Sequence, residues 1–219
     1  MPDSTPTDTI PNTQKIPRTR LLWWALCTGL VSGLIYLIKE VSVQNAFPFD
    51  APILLWIHRF SSPTLDKIML AITRLGNPST TLPLVLLVLT VLLWQRRWRF
   101  AGRFFVACSG SIFLIIQLKL FFGKARPELW PQLVTESTYS FPSGHAVSAV
   151  VLYGFIAYML SDYRPKWAAP IYGLATFLIG AIGFSRLYLG VHWPTDVLAG
   201  YGIGFLWLFI CIGLFRSRR

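Results

Sequence analysis

The feature of this sequence that most limits its fold is a series of long apolar runs separated by short polar segments. Hydrophobic residues make up 54% of the chain and charged residues only 13%. Soluble domains carry about 25% charged residues, and roughly 20 apolar residues in a row can cross the hydrocarbon of a bilayer as a helix. The chain is therefore predicted to be an integral membrane protein. A nucleic-acid-binding domain, which would show a basic stripe on a polar chain, is excluded.

Six apolar runs are predicted to be transmembrane helices, which gives an all-α, six-transmembrane helical bundle. They cover residues 21–38, 80–94, 104–118, 146–160, 167–188 and 197–215. Several runs are shorter than a bilayer requires, so we expect their helices to extend into flanking residues. The integral membrane domain is thus predicted to cover residues 21–219. Residues 1–20, rich in Thr and Pro, are predicted to be a disordered cytoplasmic tail.

Residues 51–75 show a different pattern. An apolar stripe recurs at helical spacing from Leu65 to Leu75, and the charged residues lie off that stripe. This pattern is typical of a helix at the membrane interface. The segment is predicted to be an additional interfacial amphipathic helix, or a pair of helices, that ends at the break formed by Asn77 and Pro78.

The distribution of positive charge predicts the orientation of the chain. The net charge is +11, and the basic residues cluster between the apolar runs. With the N-terminus in the cytoplasm, twelve of the 20 Lys and Arg residues lie in inner segments. Because Lys and Arg are enriched in cytoplasmic loops, both termini are predicted to be cytoplasmic in a multi-pass protein of the cell (inner) membrane.

Three polar clusters interrupt the apolar runs, and the predicted topology places all of them at outer span ends. The first ends the third span, the second opens the fourth, and the third lies between the fifth and sixth. Apolar runs and flanking charges alone gave that topology, so the convergence on one extracytoplasmic face indicates a single site. The residues are Lys119, Arg126, Ser143, Gly144, His145, Arg186, His192 and Asp196.

The cations and the helix start in this set are suited to binding a phosphate group. Arg126 and Arg186 can bind phosphate oxygens with two parallel hydrogen bonds each, and Lys119 adds a point charge. Ser143 and Gly144 lie where a helix begins, and free backbone N–H groups at such a position bind anions.

The two histidines suit transfer of that phosphate. One can attack phosphorus while the other protonates the leaving oxygen. Asp196 follows His192 by four residues, so in a helix the two share a face and the carboxylate can orient the ring. Singly, each residue of the site has a simpler explanation, such as a helix cap or a lysine that reaches the lipid surface. Lys124 and Glu136 are interpreted as loop charges without a role in catalysis.

The order and spacing of these residues resemble the type-2 phosphatidic acid phosphatase family. The family belongs to a superfamily with bacterial acid phosphatases and vanadium haloperoxidases. Its three motifs are K-x6-R-P, P-S-G-H and S-R-x5-H-x3-D. In this sequence they run from Lys119 to Pro127, from Pro142 to His145, and from Ser185 to Asp196, and all three are complete.

The resemblance implies a role for each matching residue. It implies that His192 is the nucleophile and forms a phosphohistidine, that Asp196 orients it, and that His145 is the general acid. It implies that the other motif residues hold the phosphate, and that no metal or other cofactor is needed. The residues for phosphate binding would be Lys119, Arg126, Ser143, Gly144 and Arg186.

The substrate implied by the resemblance is a lipid-linked phosphate or pyrophosphate. Undecaprenyl pyrophosphate, phosphatidylglycerol phosphate, phosphatidic acid and diacylglycerol pyrophosphate all fit the family, and we favour undecaprenyl pyrophosphate or a broad specificity. Two alternatives stay open at this point. One is a vanadate-dependent haloperoxidase, and the other is a transporter or non-catalytic lipid-binding protein. The sequence does not indicate an oligomeric state.

Overall fold

The computed structural model describes residues 28–29, 31–33, 35–36, 39–40 and 47–214 of the chain. Within that part of the chain every element is helical and no strand occurs. The predicted tail, residues 1–20, lies outside the described residues, as does most of the first predicted span, so both stay predictions.

Seven α-helices and one short 3₁₀ turn lie between residues 47 and 214. In chain order they are α1 (Asp50–His58), α2 (Pro63–Arg74), α3 (Pro78–Trp94), α4 (Trp98–Phe122), α5 (Gly144–Tyr163), the 3₁₀ turn Pro165–Trp167, α6 (Ala168–Tyr188) and α7 (Pro194–Leu214). The all-α fold predicted from the sequence is therefore confirmed.

Five segments of the described chain are long and apolar enough to cross a membrane. They are Pro63–Trp94, Trp98–Phe122, Gly144–Tyr163, Pro165–Tyr188 and Pro194–Gly213. The first four segments contain the second to fifth predicted spans, and most of their ends extend into flanking residues as expected. The helix α4, for example, begins six residues before the predicted span 104–118 and ends four residues after it. The last segment begins before the sixth predicted span, 197–215, and ends two residues short of its end.

Local sequence accounts for where the helices begin and end. Pro63 occupies the first turn of α2, and the Ser62 side chain caps it by accepting a hydrogen bond from the Leu65 N–H at 3.3 Å. Gly123 ends α4 in a left-handed conformation, with φ of 56°. Residues 51–75 form two helices, α1 and α2, and the second ends before Pro78, as predicted.

Helix α5 lies at the centre of the bundle and packs against α4, α6 and α7. Its face toward α4 and α7 contributes Val150, Val151 and Phe155 to an apolar core. The Phe155 ring meets that of Phe104 on α4, with 5.2 Å between centroids. Close packing of these side chains fixes α5 against its neighbours, because van der Waals contact drives the association of helices within a bilayer.

Two glycines let α7 approach α5 closely. A Cβ placed on Gly200 would lie 2.9 Å from both the Ala146 Cβ and the Ser143 carbonyl oxygen. A Cβ on Gly204 would lie 3.0 Å from the Val147 carbonyl oxygen. Small residues spaced by four allow this kind of backbone contact between membrane helices. The contact holds the start of α5 beside the start of α7.

A smaller apolar cluster joins α1 and α2 to the end of α6. It includes Ile57, Met69 and Tyr188. The Tyr188 hydroxyl donates to the Asp66 carboxylate at 2.6 Å and accepts from the Ser62 N–H at 3.2 Å. These contacts fix α2 so that its last turn and the connection to α3 reach the same end of the bundle as the start of α5.

Candidate active site

The eight residues predicted from the sequence lie together at one end of the bundle, where three helix connections meet. One cavity is lined by Lys119, Arg126, Gly144, His145 and His192. The other three adjoin it: Ser143 precedes Gly144 in the chain, Asp196 pairs with His192, and Arg186 pairs with a further residue of the cavity wall, Glu136. The convergence on one site is thus seen in the structure, whereas the role of each residue stays a prediction.

His192 lies in the turn before α7 and is only 1% exposed. Its Nε2 atom is 3.2 Å from an Nη1 nitrogen of Arg126. A guanidinium can only donate hydrogen bonds, so Nε2 must be the acceptor and carries a lone pair. The proton of the neutral ring is then on Nδ1. This is the tautomer that a nucleophile attacking through Nε2 needs.

The Nδ1 side of His192 faces a carboxylate and a hydroxyl. The Asp196 Oδ2 atom is 3.6 Å from Nδ1, longer than a hydrogen bond, and the Ser140 Oγ atom is 3.4 Å away. The Ser140 hydroxyl in turn donates to Asp196. The spacing of four residues suggests that His192 and Asp196 share a helix face, but they do not, because His192 precedes the first residue of α7. The turn into α7 brings them together.

Burial favours the neutral form of His192. Removal of the ring from water lowers the pKa of His192 to about 4 and is the largest effect. Asp196 opposes this decrease, whereas Arg186 and Arg126 add to it. A neutral imidazole at physiological pH is the form that can act as a nucleophile.

His145 in the first turn of α5 is held by a residue that the sequence did not mark. Its Nε2 atom is 2.7 Å from the Asn77 side-chain oxygen, which lies in the connection between α2 and α3. A Cβ on Gly76 would lie only 2.7 Å from the His145 ring, so this position requires glycine. The segment predicted to be only a helix break therefore orients one of the two histidines.

Arg126 and Lys119 also fasten the connection between α4 and α5. The Arg126 guanidinium donates to the carbonyl oxygens of Thr138 at 2.8 Å and Val191 at 2.6 Å. The Lys119 ammonium donates to the Thr138 hydroxyl at 3.0 Å and to the Tyr139 carbonyl oxygen. These bonds hold the two cations on one side of the cavity. Burial lowers the pKa of Arg126, but two nearby carboxylates, Glu136 and Asp196, oppose that change.

Glu136 lies in the connection between α4 and α5, as expected of a loop charge, but it contacts two arginines of the site. Its carboxylate forms an ion pair with Arg186 and lies 3.7 Å from an Arg126 nitrogen. Burial raises the pKa of the Glu136 carboxyl, but Arg186 and Arg126 outweigh that effect and hold the pKa below its ordinary value. The sequence offered no signal for this contact, since Glu136 is 50 residues from Arg186.

Arg186 is enclosed at the end of α6. Its Nη1 nitrogen donates to the Thr73 hydroxyl on α2 at 2.8 Å. The Arg186 Nε and Ser143 Oγ atoms are buried and make no hydrogen bond to the described residues. A buried polar group without a partner costs about 1–3 kcal/mol, so these two atoms favour a polar ligand at this position. A Cβ on Gly144 would lie 3.4 Å from the Ile115 Cγ2 atom and 3.9 Å from the Lys119 Cε atom.

Lys124 also lies in the connection after α4, as expected of a loop charge, but it is buried. Its side chain is 1% exposed, and its ammonium lies 2.7 Å from the Asp196 Oδ1 atom. Lys124 follows directly after the left-handed Gly123 that ends α4, and its side chain is directed inward. Spacing within the motif does not show that direction.

Two cavities lie on either side of the cations Lys119 and Arg126, which line both of them. The first, of about 580 Å³, extends from His145 and His192 into an apolar groove between α3 and α4. Its groove residues include Leu82, Leu86, Leu89, Phe105, Ile112 and Ile116. The second, of about 610 Å³, lies beside the connection between α4 and α5 and is more polar. Lys119, Arg126 and Glu136 line both cavities.

Residues that could hold a metal ion do not cluster in this region. Among the residues that the structure describes, no group of three or more His, Cys, Asp or Glu side chains is placed to bind one. The expectation that the reaction needs no metal stays a prediction.

The chain is similar to known proteins over most of its length. Residues 100–219 match the family described as the PAP2 superfamily. Phosphatidylglycerophosphatase B of Bacillus subtilis (strain 168) is 37% identical over 69% of this chain and 75% of its own length. An undecaprenyl-diphosphatase of Sulfolobus acidocaldarius is 27% identical over 83% of this chain and 85% of its own.

A solved structure has the same fold. The crystal structure of a transmembrane PAP2-type phosphatidylglycerolphosphate phosphatase from Bacillus subtilis superposes with a TM-score of 0.78 at 31% identity. The match covers 88% of this chain and 98% of that one. The family match, the relatives and the shared fold agree, and the chain belongs to the PAP2 superfamily as a phosphatase of multi-pass membrane type.

Proposed function

We propose that this chain hydrolyses the phosphate monoester or pyrophosphate of a membrane lipid through a phosphohistidine at His192. The observation that carries the proposal is the shape of the cavity of about 580 Å³, because one continuous space joins the two histidines and two cations to an apolar groove. A phosphate at the histidines would place its lipid chain in the groove between α3 and α4. A soluble substrate would gain nothing from that groove.

The proposed reaction has two steps. The His192 Nε2 lone pair attacks phosphorus, the bond from phosphorus to the leaving oxygen breaks, and a proton from His145 goes to that oxygen. Water then attacks the phosphohistidine, its proton returns to His145, and inorganic phosphate leaves with His192 restored. Lys119, Arg126 and Arg186 stabilise the charge on the phosphoryl oxygens. Arg186 and Arg126 exchange Glu136 for phosphate when the substrate binds.

The names of the relatives support two substrates for the first assay. One relative is named as a phosphatidylglycerophosphatase and the other as an undecaprenyl-diphosphatase. These names favour lipid phosphate hydrolysis over the haloperoxidase and transporter alternatives. Purified protein should release phosphate from phosphatidylglycerol phosphate or undecaprenyl pyrophosphate in detergent without added metal. His192→Ala should lose about 10³-fold or more in kcat, and wild-type rates in that variant would contradict the proposal.

We infer that the site opens to the extracytoplasmic face. The opposite end of the bundle carries clustered basic residues, with Arg97 and Arg164 both packed on the Tyr163 ring. Basic clusters mark the cytoplasmic side of membrane proteins.

Labelling of single cysteines tests this orientation in a chain without its native cysteines. Thr135 in the α4–α5 connection and Gln95 before α4 are both exposed and lie at opposite ends of α4. In intact cells, a membrane-impermeant maleimide should label Thr135→Cys at once and Gln95→Cys only after lysis. The reverse order would place the site on the cytoplasmic side.

A further inference from the structure

The buried Lys124 has a place in the catalytic centre that the three motifs do not assign. We propose that Lys124 is a positioning residue, which acts through Asp196 to fix the His192 imidazole and is itself held by Thr195 and Asp50. The inference rests on the proposed roles of His192 and Asp196. Lys124 need not touch the substrate, because its ammonium is directed at the carboxylate.

The contacts of Asp196 show how Lys124 would act. Lys124 takes the Oδ1 atom at 2.7 Å, whereas the Oδ2 atom accepts from the Trp193 N–H at 3.0 Å and from the Ser140 hydroxyl. It is also the Oδ2 atom that faces His192 Nδ1. The ammonium therefore sets which oxygen is turned to the imidazole. Without it, the two hydrogen bonds to Oδ2 would remain, but Oδ1 would lose its cation and the carboxylate would be held less firmly toward His192.

Burial makes the charge of Lys124 important as well as its shape. Asp196 is completely buried and Lys124 nearly so. A buried carboxylate is costly unless a cation and hydrogen bonds compensate it. Lys124 is the cation in direct contact with this carboxylate. When His192 is neutral, the His192–Asp196 pair carries the negative charge of the Asp196 carboxylate. The ion pair with Lys124 stabilises that charge.

Lys124 is held in turn by the start of α7 and α1. The Lys124 ammonium donates to the Thr195 Oγ1 atom at 3.2 Å. That hydroxyl donates its single proton to the Asp50 carboxylate at 2.8 Å, so a lone pair is left to face Lys124. Asp50, the first residue of α1, also accepts from the Thr195 N–H at 3.1 Å. The interfacial helix α1 is therefore connected to the catalytic pair through three side chains.

Other charged or titratable groups also face the pair, and they remain in place when Lys124 is changed. They are Lys119, Arg126, Glu136, His145 and Arg186. Because they are common to all Lys124 variants, a difference in pH dependence between variants reports the charge at position 124.

The test compares Lys124→Met, Lys124→Arg and the wild-type protein in a pH series with one lipid phosphate substrate. For Lys124→Met we expect kcat to fall about 10- to 100-fold with KM little changed. The acid limb of kcat/KM should move up by about one pH unit, because a cation next to the pair has been removed. Lys124→Arg keeps the charge and should keep the wild-type limb even if kcat is lower.

Controls separate this inference from a loss of folding and from the proposed function. Lys67→Met removes an exposed lysine of α2 and should leave kcat and the limb unchanged. If Lys124→Met does not fold, Lys124→Gln replaces it and is judged by the same readouts. If Lys124→Met keeps the wild-type kcat and the wild-type acid limb of kcat/KM, the inference is overturned. It is also overturned if Lys124→Met and Lys124→Arg lose kcat equally and the acid limb does not move in either variant. If Asp196→Asn also kept wild-type activity, the proposed function itself would be wrong.

Discussion

At the scale of single residues, the chemistry depends on the protonation of one buried ring. The contact of Arg126 with the His192 Nε2 atom requires a lone pair there, and burial of the ring favours its neutral form. The contact geometry thus identifies the tautomer, and burial favours the neutral state in which that tautomer exists. A histidine in water would be partly protonated near neutral pH and would lose nucleophilicity there.

The first prediction concerns the titration of His192. The chain has three histidines, so ¹³C-labelled histidine gives few NMR signals, and His192→Gln identifies one of them. We expect a midpoint near pH 4, since burial lowers the pKa to about 4. A midpoint near 6.5, the value of an exposed histidine, would show that the ring is not buried as described.

The same shift sets the sign of a stability effect. The unfolded chain binds a proton at His192 near pH 6.5, whereas the folded chain does so only near pH 4. The contribution of His192 to stability is therefore fully present above pH 6.5 and is lost as the pH falls from 6.5 toward 4.

Sequence identified the residues of the motifs but missed the residues that hold them. Asn77 binds His145 from 68 positions away, and Lys124 binds Asp196 from 72 positions away. Such partners carry no local pattern, since their role arises only when the helices pack. A buried lysine and an exposed loop lysine look alike in a sequence. Lys124 follows directly after the left-handed Gly123, and its side chain is directed inward.

At the scale of elements, the site depends on how closely α7 approaches α5. The backbone of α7 at Gly200 lies against the Ser143 carbonyl oxygen, directly before the helix start that is proposed to bind phosphate. In the other direction, the Ser143 N–H donates to the Asp196 carbonyl oxygen at 3.1 Å. The second and third motifs are thus joined through their backbones, and helix packing sets the distance between the two histidines.

Gly200→Ala tests this packing. The added methyl group would meet backbone that cannot move aside, so we expect a loss of about 1–3 kcal/mol in stability and a lower kcat. Thermal unfolding in detergent and phosphate release measure the two effects. The control is Gly180→Ala on α6, where a Cβ would meet nothing within 4 Å. Equal behaviour of the two variants would contradict the described contact between α5 and α7.

The apolar pattern predicted these helices well because a bilayer demands long apolar segments. It was weaker for residues 51–75, where the segment could be one helix or two. Ser62 and Pro63 supply a new helix start within that segment, and the structure shows two helices. The pattern also did not show that α2 contributes Thr73 to the site through Arg186.

At the scale of the whole molecule, the cavity connects the polar end of the bundle to its lipid-facing side. The groove residues Leu82, Leu86 and Ile112 are more than half exposed in the protein, so a bilayer would surround them with acyl chains. A lipid could therefore reach the histidines without leaving the membrane.

A bulky residue in the groove should separate substrates by chain length. Ile112→Trp narrows the groove, and we expect kcat/KM to fall about 10-fold or more for a long-chain lipid phosphate, since a substrate misplaced by about 1 Å loses 10²-fold. A short-chain phosphatidic acid should be affected little. Phe113→Trp, on the neighbouring position of α4 outside the cavity, is the control. An equal loss for both chain lengths would mean that the groove does not hold the lipid.

The role of His192 as the nucleophile is tested by trapping the phosphohistidine. Purified protein is mixed with a lipid substrate carrying ³²P in the transferred phosphate, quenched in alkali within one turnover, and digested for mass spectrometry. We predict phosphate on the peptide that contains His192, and none in His192→Ala. Turnover without any covalent phosphate, or phosphate on His145 instead, would contradict the assignment of His192 as the nucleophile.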